Sequence, residues 1–179
     1  GKGEAPDVWL LGSSGYSAQV AAALGLPFAF AHHFSPANTL PALELYRRAF
    51  TPSDRLDKPY LMIAAMAICA DTDERARWLA GPAGLAFLRM RTGRRGPLPT
   101  PEEAAAYPYT PMDRAFIADR LVGQAVGSVE TVTEQLTELA AAAGADELML
   151  TSMMHDPADR LRSYDLIAKA WHLDDLQVR

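Results

Sequence analysis

The chain has 179 residues, 49% of them hydrophobic, which is enough to bury a sizeable core and favours a single domain. Its formal net charge of −5 at pH 7 argues against a protein that binds nucleic acid through a broad basic surface.

Four short apolar runs alternate with helical patterns along the chain, and this rhythm predicts parallel βαβ units. The first strand is predicted at Asp7–Leu11, and the following helix runs from about Gly15 to Gly25. The second strand is predicted at Phe28–Ala31, after which Pro36 opens a helix that reaches Phe50. We therefore expect the sheet to begin with two short strands, each followed by a helix.

The third strand has the clearest signal, because Tyr60–Cys69 is a long uncharged run typical of a strand covered on both faces. The next helix begins in the polar stretch Asp71–Glu74 and carries apolar residues as far as Leu88. The stretch Gly81–Gly84 contains a proline, and we expect it to bend or divide this helix.

A proline-rich insertion follows at about residues 93–112, with a short helix predicted inside it at Pro101–Ala106. A segment this long within a compact domain is either functional or mobile, and we interpret it as a lid over the strand ends. The remaining predicted elements are a helix at Met112–Val122, a helix at Val129–Ala143 capped by Ser128, a fourth strand at Glu147–Ser152, a helix from Pro157 to Trp171 and a frayed tail after Leu173.

The single cysteine, Cys69, excludes a disulfide within the chain, and we expect it to be a buried thiol. No apolar run reaches the ~20 residues that a membrane helix needs. The first six residues also lack the apolar core of a signal peptide. We therefore expect a cytoplasmic protein.

The stretch from Leu10 to Ala18 carries the strongest functional signal. In it an apolar strand leads into serine and glycine residues and then into a helix. The first amides of a helix have no intrahelical partner and carry partial positive charge, so this arrangement can bind a phosphate, with Ser13, Ser14 and Ser17 as additional donors. The alternative is that a serine here is a plain N-cap.

This stretch and the residues after it resemble the bacterial luciferase-like flavin monooxygenases, around the fifth and sixth strands of their barrel. The resemblance rests on Trp9-Leu10-Leu11-Gly12-Ser13-Ser14-Gly15-Tyr16-Ser17-Ala18, Ala21-Ala22, Gly25-Leu26-Pro27-Phe28-Ala29-Phe30-Ala31-His32-His33-Phe34, Leu88-Arg89-Met90-Arg91-Thr92-Gly93, Val126-Gly127-Ser128-Val129-Glu130-Thr131-Val132 and Ser163-Tyr164. It implies an α/β fold of the (β/α)8 TIM-barrel type, with residues 1–179 covering roughly the last four βα units.

The resemblance also implies a function, namely a flavin-dependent monooxygenase that uses reduced FMN and O2 on a small organic substrate. A flavin reductase would supply the reduced FMN, and neither nucleic acid nor membrane is an expected partner. One alternative is a flavin-binding protein without turnover, or a truncated half-barrel fragment. A further alternative is a deazaflavin-dependent oxidoreductase of the same superfamily.

In this family the turn after the fifth strand holds the FMN phosphate, which implies phosphate contacts from Ser13, Ser14, Gly15, Tyr16 and Ser17. Leu11 would lie against the isoalloxazine ring. These residues follow the carboxyl end of a strand, the face on which sites are built in such barrels.

His32 and His33 follow the second strand at the same face and are the candidates for a catalytic or polar contact near the flavin or the substrate. Consecutive strand residues point to opposite sides, so joint metal binding by the pair is not expected. Either histidine could instead be packed beneath the neighbouring loop. The four histidines and one cysteine show no spacing that matches a metal motif.

A complete (β/α)8 barrel takes about 250 residues, whereas four βα units form half of one. The open strand edges and the inward face of such a half are expected to pair with other strands. We therefore expect a homo-oligomer or a completing chain.

Overall fold

A computed structural model describes residues 6–173 of the chain. Parallel strands alternate with helices, which confirms the predicted α/β fold class. Two predictions fall outside the described residues. One concerns the absence of a signal-peptide core, since residues 1–5 form most of that stretch, and the other is the frayed tail after Leu173. No helix among the described residues is long and apolar enough to cross a membrane.

The elements agree closely with the sequence pattern. The strands are β1 (Leu10–Gly12), β2 (Phe28–Ala31), β3 (Leu61–Cys69), β4 (Ala125–Gly127) and β5 (Glu147–Thr151). The helices are α1 (Gly15–Ala23), α2 (Thr39–Ala49), α3 (Asp73–Arg91), α4 (Pro101–Ala106), α5 (Pro111–Leu121), α6 (Val129–Ala143) and α7 (Pro157–Ala170), with 3-10 turns at His32–Phe34 and Pro36–Asn38. The strands follow the order β1-β2-β3-β4, and β5 also pairs with β3.

Three predictions about these elements were wrong in detail. The first strand begins at Leu10 rather than Asp7, because its pairing with β2 starts only there, opposite Phe28. The short strand β4 was missed, because its three residues are too few to show a hydrophobic period; it pairs with Ala67–Cys69. The helix α3 is not divided at Pro82, which lies buried inside one continuous helix.

The chain forms two compact units, and the first contains described residues 6–65 and 138–150. Here β1, β2 and the start of β3 run parallel, and Phe28 and Phe30 of β2 are fully buried against α1 and α2. The inner positions of α1 are alanines, which allow α2 to approach closely. The hydroxyl of Tyr46, on α2, donates a 2.8 Å hydrogen bond to the carbonyl of Leu26.

The second unit contains described residues 66–137 and 151–173. The amide of Cys69, at the end of β3, donates a 2.8 Å hydrogen bond to the Ser163 hydroxyl on α7. Burial raises the pKa of the Cys69 thiol to about 11, so the thiol stays protonated near neutral pH. The predicted buried thiol is confirmed.

Asp73 joins the starts of two helices in this second unit. Its Oδ1 accepts hydrogen bonds from the Ser128 amide at 2.7 Å and from the Thr131 hydroxyl at 3.0 Å, so the first turn of α3 holds the first turn of α6. The bond from Ser128, followed by that from Thr131, lowers the pKa of Asp73 below its ordinary value.

Replacing Asp73 by asparagine is expected to lower stability at neutral pH, because a neutral amide accepts these two hydrogen bonds more weakly. The folded-state pKa is the lower one, so the stabilisation is complete above the unfolded pKa of about 3.9 and is lost as the pH falls through the folded value. Urea unfolding of the wild type and Asp73→Asn should show a difference at pH 7 that closes below about pH 4. A difference that stays constant with pH would contradict this role.

The insertion at 93–112 contains the predicted helix at the expected bounds, Pro101–Ala106. Thr100 caps this helix, and Ala104 is buried against Leu85 and Leu88 of α3. Close by, the carbonyl of Leu98 accepts a 2.9 Å hydrogen bond from Nδ1 of a histidine in the segment after β5, His155. The insertion is therefore packed against α3 through α4.

Candidate functional site

The turn between β1 and α1 is built around a serine cap. Ser14 has an extended backbone, with φ −143° and ψ 163°, and its hydroxyl accepts a hydrogen bond from the Ser17 amide at 3.5 Å. The Ser17 hydroxyl donates in turn to the Ser14 carbonyl at 2.8 Å and accepts from the Ser14 amide at 3.4 Å. The N-cap alternative is thus realised in this turn.

The cap leaves the first two helical amides available. The Ser14 hydroxyl accepts a hydrogen bond from the amide of Ser17. The amides of Gly15 and Tyr16 come earlier in the helix and have no intrahelical acceptor. They lie at the positive end of the α1 macrodipole, where an anion is stabilised. Capping and anion binding are therefore compatible in this turn.

Two glycines shape this turn in different ways. A Cβ on Gly12 would lie 2.0 Å from Oγ and 2.3 Å from Cβ of Ser17, so only glycine allows Ser17 to fold over the end of β1. A Cβ on Gly15 would meet only Leu45 Cδ2, at an ordinary contact distance of 3.4 Å. Gly15 was among the residues expected to contact the phosphate, whereas Gly12 was not, because its contact with Ser17 can be seen only in three dimensions.

Large side chains beside this turn are left open to solvent. Leu11 is 66% exposed and Tyr16 is 76% exposed, although both are apolar or aromatic. The neighbouring residue Leu10 packs into the core of the first unit, so Leu11 stands on the opposite face of β1. Ser13, which is half-buried, links this strand to the cap. The turn therefore combines uncapped amides, hydroxyls and an exposed apolar side chain.

The structure separates the two candidate histidines. Both lie in the 3-10 turn that follows β2. His32 is buried and shares a 2.8 Å hydrogen bond with the Thr39 hydroxyl, which fastens it to the start of α2. His33 is only partly buried, and its Nδ1 lies 2.9 Å from the Ala64 carbonyl on β3.

The bond to Ala64 fixes the role of the His33 ring. A carbonyl can only accept, so Nδ1 carries the proton and a neutral ring presents Nε2 as an acceptor. Because β1 and β2 are parallel neighbours, His33 and the Ser13–Ser17 turn follow the same edge of the sheet. Within residues 6–173, no group of three or more His, Cys, Asp or Glu side chains could hold a metal ion.

Comparison with known proteins gives consistent matches. A family model described as luciferase-like monooxygenase matches residues 1–147. The uncharacterized protein YvbT of Bacillus subtilis (strain 168) is 46% identical over 171 residues, which are 96% of this chain and 51% of that protein. The crystal structure of apo-MsnO8 has a TM-score of 0.87 at 39% identity, over 96% of this chain and 52% of its own.

A third match is a structure solved with a flavin. It is the oxygenating constituent of 3,6-diketocamphane monooxygenase from the CAM plasmid of Pseudomonas putida, a type II Baeyer-Villiger monooxygenase in complex with FMN. Its TM-score is 0.60 at 25% identity, over 98% of this chain and 50% of its own. The matches confirm the predicted fold of the luciferase-like TIM-barrel type, and the chain spans about half the length of the relatives it matches.

Proposed function

Because the chain belongs to the luciferase-like monooxygenase family, we propose that it carries the phosphate site of a flavin-dependent monooxygenase, which uses reduced FMN and O2 to oxidise a small organic substrate. The observation that carries this proposal is the β1–α1 turn, where two uncapped amides lie beside serine hydroxyls at a helix start. A flavin reductase is the proposed source of the reduced cofactor.

The residues of this turn fit FMN. The amides of Gly15 and Tyr16 and the hydroxyls of Ser13 and Ser14 would hold the phosphate, and the exposed side chain of Leu11 would pack against the ring. The bound flavin supplies the activation of O2 and the transfer of oxygen to the substrate. The chain itself binds and orients the flavin.

His33 is the proposed polar contact to the flavin or the substrate. The Ala64 carbonyl orients its ring so that Nε2 can accept a proton or a hydrogen bond. His32 is proposed as a positioning residue, because its ring is buried against Thr39, where it supports the turn that carries His33.

Part of the sheet in the first unit is left uncovered in this chain. Leu11 on β1 is 66% exposed and Met149 on β5 is 54% exposed. We propose that further barrel strands cover these side chains in the complete enzyme. A longer chain or a second chain would supply those strands.

Titration of the chain with FMN and with riboflavin tests the proposed phosphate site, because the two ligands differ only in the phosphate. We expect FMN to bind at least about ten-fold more tightly, since even one charge-assisted hydrogen bond contributes about 1.5–3 kcal/mol. Equal affinities would contradict the phosphate site. Tighter binding of a 5-deazaflavin phosphate than of FMN would favour the deazaflavin alternative. FMN binding by a complete enzyme that never oxidises a substrate would favour the flavin-binding alternative.

We also propose that the insertion at 93–112 is a mobile lid over the strand ends, which closes when the flavin is bound. Its first part carries exposed arginines, Arg94 and Arg95, whereas α4 is packed on α3. Limited trypsin digestion should therefore cut first after Arg94 or Arg95, and FMN should slow that cut. Fragment masses identify the site. A first cut elsewhere, or the same rate with and without FMN, would contradict the lid.

A further inference from the structure

The second unit contains a cavity of about 700 Å³ between α3, α4 and α5. Small residues of all three helices line it: Gly81 and Gly84 on α3, Ala105 on α4 and Ala118 on α5. At the two glycines, the missing side chain lets Ala104 and Ile117 approach α3 closely. Its volume lies within the range of small-molecule sites, about 300–1,000 Å³. None of the residues proposed to contact the flavin lines it, whereas Pro101, Ala104, Ala105 and Tyr109 of the 93–112 insertion do.

Helix α5 covers this cavity but contributes few buried side chains to the hydrophobic core. None of its residues is fully buried. Two of its contacts with α3 are cation–π pairs, with the Arg91 guanidinium 4.6 Å from the Phe116 ring and that of Arg120 5.2 Å from the Phe87 ring. Such pairs are modest when exposed, about 0.5–1 kcal/mol each. A ligand beneath α5 would therefore add apolar contacts that the helix lacks.

The polar groups in the cavity wall indicate the charge of such a ligand. Arg77 and Arg114 are lining residues, and neither forms an ion pair within residues 6–173. Glu74 is the one acidic lining residue, so the arginines outnumber it. The side-chain oxygen of Gln124 also belongs to the lining residues and is buried without a hydrogen-bond partner in the described part of the chain.

The aromatic residues of the wall indicate the shape of the ligand. Trp78 and Tyr109 both line the cavity, and Trp78 is 37% exposed. The Arg114 guanidinium lies over the Tyr109 ring, 5.3 Å from its centroid. Ring faces of this kind favour offset or edge contacts with a flat aromatic body. Arginine in turn favours a carboxylate, which it can bind with two parallel hydrogen bonds.

We propose that this cavity is a binding site for an aromatic carboxylate of two or three rings. The rings would pack between Trp78 and Ile117, and the carboxylate would face Arg77 and Arg114. A hydroxyl or N–H group on the ligand, or a water molecule, would reach the unpartnered oxygen of Gln124. Binding would fix α5 in its place over the cavity.

Calorimetric titration of the chain with 2-naphthoate tests the site, with the neutral 2-naphthamide as the matched ligand. Ala105→Trp should place an indole ring in the cavity and weaken 2-naphthoate at least about ten-fold. Ala106→Trp is the control, because Ala106, like Ala105, is exposed on α4 but does not line the cavity. The affinity of Ala106→Trp for 2-naphthoate should stay within about two-fold of the wild-type value.

The charge of the ligand is tested separately. Arg77→Gln should weaken 2-naphthoate by about ten-fold and leave 2-naphthamide unchanged. The control Arg94→Gln removes an exposed arginine outside the cavity and should change neither ligand. Hydrogen exchange should also slow at residues 111–121 when 2-naphthoate binds, because the occupied cavity holds α5 in place.

Several outcomes would overturn the proposal. The first is that 2-naphthoate does not bind, and the second is that Ala105→Trp binds 2-naphthoate as tightly as the wild type. The third is that the wild type binds 2-naphthoate and 2-naphthamide equally tightly. If sedimentation finds a wild-type dimer and a monomeric Ala105→Trp variant, a second copy of the chain occupies the cavity instead. FMN affinity should be the same in Arg77→Gln and the wild type, because Arg77 lies outside both the proposed flavin contacts and the 93–112 insertion. The result is therefore independent of the proposed flavin function.

Discussion

Replacing Ser13 and Ser14 together by alanine is expected to weaken FMN binding by at least about a hundred-fold and to leave riboflavin binding unchanged. Each hydroxyl would donate a charge-assisted hydrogen bond to the phosphate, and such bonds contribute about 1.5–3 kcal/mol each. Two of them correspond to about two orders of magnitude or more in affinity. Fluorescence titration with both flavins measures the effect.

The stability of this double variant needs its own control, because Ser14 is also the N-cap of α1. Loss of an N-cap serine costs about 0.5–2 kcal/mol of stability. Ser14→Asp separates the two roles: aspartate keeps the cap, but its negative charge repels a phosphate. This variant should fold as stably as the wild type and bind FMN more weakly. FMN affinity that is unchanged in both variants would contradict the assignment of the turn.

Gly12→Ala is expected to destabilise the chain by about 1–3 kcal/mol, the usual cost of an added group in a packed site. The new methyl group would lie 2.3 Å from the Ser17 Cβ, an atom that no side-chain rotation can move away. The start of α1 would therefore shift from the end of β1. We expect lower FMN affinity as well, because the amides of Gly15 and Tyr16 move with the helix.

Gly15→Ala is the matched variant and should behave differently. Its methyl group would meet only Leu45 Cδ2, at 3.4 Å, so urea unfolding should match the wild type. The same methyl group narrows the approach to the two uncapped amides, and FMN should bind roughly ten-fold more weakly, a loss of about 1.4 kcal/mol. If Gly15→Ala unfolded as easily as Gly12→Ala, the glycines would share one structural role and the proposed phosphate approach would be wrong.

Much of the fold could be predicted from local patterns. The bounds of α4 and α6 match their predictions, because a capping residue, Thr100 or Ser128, directly precedes each helix. The uncharged run that became β3 predicted a strand covered on both faces, and eight of its nine residues are buried. The fold type also follows from the serine-rich turn after β1, whose resemblance the comparisons confirm.

Longer-range contacts decided what the sequence left open. The pattern at Gly81–Gly84 predicted an interrupted helix, yet these small residues lie where α4 and α5 approach α3, and packing keeps α3 continuous. The sequence offered phosphate binding and capping as alternatives at Ser14, whereas the turn forms the cap and keeps two amides uncapped. The sequence pattern predicted the same role for His32 and His33, whereas the structure places them against different partners.

Short-range chemistry fixed where α4 and α6 begin, because caps and turns act between residues a few positions apart. The site depends on atoms that are distant in sequence. Thr39 shares a hydrogen bond with the buried His32, and the Ala64 carbonyl orients His33. The Gly12 contact requires α1 to fold back over β1. Only the tertiary structure could decide these points, because the packing of whole elements brings those atoms together.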